Sequence, residues 1–123
     1  MMTDFRTGSW VTLSRDAHTI PAGCYRFYRF EDEMMLLTVG PEIVLGLNYS
    51  YWNQWLTPAT LTATRPTRLK DFLKRYAHNV QEMHKNDYVL SAASMTFCFM
   101  SAHYYAHIAS QISDNESFLP VAA

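Results

Sequence analysis

Hydrophobic and polar positions change rhythm along this chain, and the rhythm predicts its elements. The first half is built of short runs rich in aromatic and branched residues: Ser9–Arg15 (SWVTLSR), Cys24–Phe30 (CYRFYRF), Glu33–Val39 (EMMLLTV) and Glu42–Leu47 (EIVLGL). Turn signals separate them, at Pro21-Ala22-Gly23, Glu31-Asp32 and Gly40-Pro41. Such short connections predict consecutive antiparallel strands. Thr60–Thr64 (TLTAT) reads as a last short strand, which gives an N-terminal antiparallel sheet of four to five strands, SH3-like in its curl. Between lies Asn48–Pro58 (NYSYWNQWLTP), where strand and helical turn are both open: a strand pairs Tyr49 and Tyr51 with Trp55, a helical turn pairs Trp52 with Trp55.

Beyond Pro66 the period becomes helical. Leu69, Phe72, Leu73, Tyr76, Val80 and Met83 follow i, i+3, i+4, i+7, i+11, i+14, with Thr67 as the expected N-cap and His84–Asp87 as the break. From Tyr88 to Ser113 there is no Asp, Glu, Lys or Arg. That stretch reads as a second helix, apolar all round, which must be covered on every side. Its Ser94, Cys98, Ala102, Ala106 and Ser110 recur every fourth residue, a stripe of small side chains that predicts close helix packing or a homo-oligomer seam, most simply a dimer. Phe97, Met100, Tyr104, Ile108 and Ile112 form a bulky stripe beside it. Scattered Ser, Thr, Gln and His argue against a membrane span. The expected fold is therefore α+β in a single domain, 1–123: a β part over about 5–64, a helical hairpin over about 67–113 and a frayed tail over 114–123.

Composition narrows the function classes more than it names one. Apolar residues at 49% and charged residues at 17% belong to a folded domain, and a net charge of −1 provides no field for recruiting nucleic acid or anionic membrane. Two cysteines, Cys24 and Cys98, sit far apart on different elements, so they suggest buried thiols in a reducing cytoplasm rather than a disulfide framework or a zinc site. The N-terminus has no signal-peptide pattern.

Candidate chemistry is sparse. His103 and His107 share a helical face at i, i+4, a metal-like spacing, but no third ligand is placed beside them, so no metal and no cofactor are expected. The four glycines are ungrouped and form no phosphate loop, and neither cysteine has a sequence-adjacent base, so catalysis is not expected. Arg65, Arg68, Lys70, Lys74 and Arg75 place five of the ten basic residues at the start of the first helix, where the macrodipole disfavours cations. With Tyr49, Tyr51, Trp52 and Trp55 they form the one ligand or partner site the sequence assembles. They suit a protein partner or, as the alternative, a nucleotide or nucleic acid held by stacking and phosphate contact. Arg26 and Arg29 stand among aromatics on which they could stack. The leading expectation is a small non-catalytic binding protein that masks a macromolecular partner. Inhibitors and adaptors of mobile elements, such as phage counter-defence proteins, share this size and lack of active-site motifs.

Overall fold

The structure, a computed structural model, describes residues 5–60, 65–86 and 95–111, except the side chains of 84–86, 105 and 108–111. Alternating apolar residues and tight turns produce β1 (Trp10–Leu13), β2 (Gly23–Glu31), β3 (Met34–Val39) and β4 (Ile43–Asn48), close to the expected runs. Then come α1 (Tyr49–Trp52), a 3₁₀ turn (Asn53–Trp55), β5 (Leu56–Ala59), α2 (Leu69–Asn86), β6 (Thr96–Met100) and α3 (Ala102–Gln111). The strands form one six-stranded antiparallel sheet in the order β5-β1-β2-β3-β4-β6. The fold is mixed α+β, but the sheet is not the SH3-like arrangement of four to five strands.

Leu56–Ala59 forms a strand that pairs with β1, immediately before the expected strand Thr60–Thr64. Residues 61–64 lie outside the described residues. The C-terminal two-helix hairpin is not formed. Among the described residues of the charge-free stretch, Thr96–Met100 is a strand on β4 and Ala102–Gln111 is helical. Two features allow this. Thr96-Phe97-Cys98-Phe99-Met100 is rich in residues that suit a pleated, half-buried surface. The outer edge of β4 offers unpaired backbone groups that a strand satisfies and a helix cannot. The stripe of small residues therefore has no common helix. Cys98 is buried in β6, Ala102 and Ala106 are exposed on α3, Ser110 has no described side chain, and Ser94 lies outside the described residues.

Pleating divides the sheet into two unlike faces. One is core: Val11, Leu13, Tyr25, Phe27, Leu37, Leu45, Leu47, Cys98 and Met100 join Phe72, Leu73, Tyr76 and Val80 of α2 in one hydrophobic cluster. Phe72 is fully buried, with its ring edge-on to Tyr25 (6.0 Å) and stacked on Tyr76 (5.8 Å). The segment from α1 to Trp55 also belongs to this cluster, bringing Trp52 into it, and leads from the end of β4 to β5. At the other end, Phe5 packs against Phe27, Phe30 and Tyr49. Thr67 does not serve as the expected helix cap. Its hydroxyl accepts the Cys24 N–H at 2.8 Å and its N–H donates to the Cys24 carbonyl, tying the approach to α2 onto β2. No helix among the described residues is long and apolar enough to cross a membrane.

Candidate interaction surface

The second face of the sheet is assembled by register alone. Ala59, Trp10, Arg26, Thr38, Val44 and Phe99 stand opposite one another in a single row across all six strands. A second row runs Arg29, Leu36, Gly46, Phe97. Phe97 is 42% exposed and Phe99 49%, large for aromatic residues of a folded chain. The Phe97 ring lies directly over Gly46, in the space a side chain there would occupy. A glycine at that point lets the ring cover the β4 backbone.

The opposite half of the face pairs cations with aromatic rings. The Arg26 guanidinium lies 4.3 Å from the Trp10 ring centroid and donates to the Gly8 carbonyl at 2.7 Å. Arg29 lies 4.8 Å from the Tyr28 ring and bonds Glu31 at 2.6 Å. A β-bulge between Phe27 and Arg29 inserts Tyr28 as an extra residue, 40% exposed. Arg29 therefore meets the expectation of stacking on a neighbour in its own strand, whereas Arg26 reaches across to β1.

The residues grouped as a ligand site by sequence have unlike surroundings in the structure. Tyr49 packs on Phe5 and Phe30, Trp52 is buried in the core, Tyr51 is exposed, and Trp55 sits with Arg15, whose guanidinium is 5.0 Å from its ring. Of the cations, Arg75 donates to Asp16 at 3.1 Å, while Arg65, Arg68, Lys70 and Lys74 are exposed. The helical alternative for 49–55 holds, since the Trp52 and Trp55 rings are 5.3 Å apart. The buried Trp52 indole N–H has no hydrogen-bond partner among the described residues.

Other titratable groups have structural surroundings. Asp16 accepts from the Ala22 N–H (2.8 Å), Asn79 (3.0 Å) and Arg75. Desolvation raises its pKa, but these donors outweigh it and hold the carboxyl below the usual value. Burial pushes the Cys98 thiol up to about 12 despite a hydrogen bond with Tyr76, so it is no nucleophile. His103 and His107 are exposed on α3, and no three metal-ligating side chains cluster among the described residues.

Family models, curated proteins and solved structures were all compared with the chain, and none matches. Sequence reasoning missed Phe97 and Phe99 as surface residues, because it placed both in a helix covered on all sides. The alternation of TFCFM was the available signal, hidden because both of its faces are apolar.

Proposed function

We propose that this is a non-catalytic binding module that acts by covering a surface of a protein partner, and that the sheet face opposite the core makes the contact. The observation that carries this reading is the pair Phe97 and Phe99, held outward on a sheet whose other face is packed core. Exposed aromatics on a rigid sheet lose little conformational entropy on binding, which makes them good anchors. The flanking chemistry specifies the partner further: an apolar projection for Val44, Phe97 and Phe99, with a carboxylate beside it for Arg26. A nucleic acid is the weaker reading, since Arg29 is already bonded to Glu31 and the net charge is −1. The class of small inhibitors and adaptors remains the analogy for what such masking does.

The test is a photo-crosslinking amino acid placed at Thr38 or Val44 on the face, or at exposed His78 of α2, in cells carrying the gene. A discrete protein adduct from the face positions alone, lost in Phe99→Ser at unchanged thermal stability, supports the proposal. Equal adducts from His78, survival in Phe99→Ser, or nuclease-sensitive adducts would overturn it.

A further inference from the structure

The two edges of the sheet differ in a way that bears on self-association. At one edge, β5 carries Pro58, which removes a backbone donor and blunts pairing. At the other edge, β6 reads Thr-Phe-Cys-Phe-Met, without proline, glycine or charge, and no described strand lies beyond it.

The hydrogen-bond phase of that edge follows from its partner. The Asn48 N–H donates to the Met95 carbonyl (2.8 Å), and the Tyr49 N–H to the Glu33 carbonyl (2.8 Å). In an antiparallel ladder, bonded pairs alternate. Val44 and Gly46 therefore bond Phe99 and Phe97, so the backbones of Phe97 and Phe99 face β4. Those of Thr96, Cys98 and Met100 then present their N–H and C=O groups to the open edge. Three outward residues in a five-residue strand, with Cys98 at the centre, form a self-complementary set.

We propose that the occupant of this edge is a second copy of the chain, joined β6 to β6 in antiparallel register about a two-fold axis through Cys98. Cys98 then opposes its own copy, and Thr96 opposes Met100 of the second copy, both as hydrogen-bonded pairs. Phe97 opposes Phe99 of the second copy as a non-bonded pair, where side chains come closest. A two-fold perpendicular to the sheet keeps the same face outward in both copies. Four phenylalanines then meet at the centre of one continuous open face, which neither copy has alone. The charge pattern fits: a two-fold brings each residue near the axis close to its own copy, so a lone charge there would meet its own sign. Residues 95–101 (MTFCFMS) carry none, and the sequence is uncharged from Tyr88 to Ser113.

Mass by light scattering at on the order of 100 µM, far above a micromolar dissociation constant, tests this in three chains. The wild type is expected to be a dimer. Phe97→Lys/Phe99→Lys sets lysine against lysine across the axis and is expected to be monomeric. Phe97→Lys/Phe99→Glu sets lysine against glutamate and is expected to return to dimer. Both variants change half-exposed side chains, and circular dichroism confirms that each is folded. A monomeric wild type overturns the proposal, as does a dimer that survives the double lysine. A monomer for the lysine–glutamate variant overturns the register. This inference rests on β6 being an edge and not on a third protein binding the face, so crosslinking and mass can fail independently.

Discussion

Gly46→Ala offers the sharpest stability test, because the affected contact exists only if β6 lies where it does. A Cβ on Gly46 would fall 2.1 Å from Cε1, 2.5 Å from Cζ and 2.6 Å from Cδ1 of Phe97. The ring must move by more than an ångström to restore ordinary contact. Phe97 is 42% exposed. A little over half of its roughly 200 Å² is therefore covered, and at ~25 cal/mol per Å² losing all of it would cost about 3 kcal/mol. Losing the half over β4 costs about 1.5 kcal/mol, and an off-rotamer ring adds about 1. Replacing a strand glycine returns roughly 0.5–1 kcal/mol. The net expectation is a loss of about 1–2 kcal/mol. In a Phe97→Ala background the clash is gone, and the same change should stabilise by about 0.5 kcal/mol or more. Urea unfolding of the four chains in a double-mutant cycle should thus give a coupling of about 2 kcal/mol. A coupling below about 0.5 kcal/mol would refute the placement of Phe97 over Gly46.

The remaining predictions concern the core and its ties. Phe72→Ala empties a fully buried aromatic position between Tyr25 and Tyr76 and should cost about 3–5 kcal/mol by chemical denaturation. Gly23→Ala drives a methyl into the Thr67 hydroxyl, 2.1 Å away, and should cost about 1–3 kcal/mol; Gly23→Ala/Thr67→Gly should recover the steric part, though not the lost Cys24 bond. Asp16 has a folded-state pKa below its ordinary 3.8, so its stabilisation is complete above that value and is lost as pH falls through the folded pKa. Asp16→Asn should therefore lower the melting temperature at pH 7, with the difference from wild type closing in strong acid; a constant difference at all pH values would contradict the ionic tie. Cys98 should resist thiol reagents in the native state at pH 8, its thiol being buried and pushed up to about 12; rapid labelling without unfolding would count against its burial.

Much of the first half was legible because its punctuation is chemical. Pro21-Ala22-Gly23, Glu31-Asp32 and Gly40-Pro41 bound the strands, and Asp32 and Gly40 adopt positive φ. The period of Leu69, Phe72, Leu73, Tyr76 and Val80 marks α2 because polar residues fill the opposite face. Thr96–Met100 has no such contrast. With apolar residues on both faces, period 2 and period 3.6 look alike, and a small residue at every fourth position imitates a helix seam. The pairing of β6 with β4 and of β5 with β1 is non-local, so no short-range pattern carries it. The candidate surface shares that origin: Trp10, Arg26, Thr38, Val44 and Phe99 come from five strands and meet only through register. The basic start of α2 and the 49–55 aromatics looked joined because they are near in sequence. In the fold, Trp52 serves the core and Arg75 the Asp16 tie.

Both proposals stand on residues 96–100 being the sixth strand, and nuclear magnetic resonance reads that directly. The bonded pairs at Gly46–Phe97 and Val44–Phe99 leave Ile43–Met100, Leu45–Cys98 and Leu47–Thr96 as the close, non-bonded pairs. Strong cross-peaks between the α protons of Leu45 and Cys98, and of Leu47 and Thr96, are therefore expected. Their absence, with unbroken amide-to-amide cross-peaks through residues 96–100, would show a helix and remove Phe97 and Phe99 from the sheet.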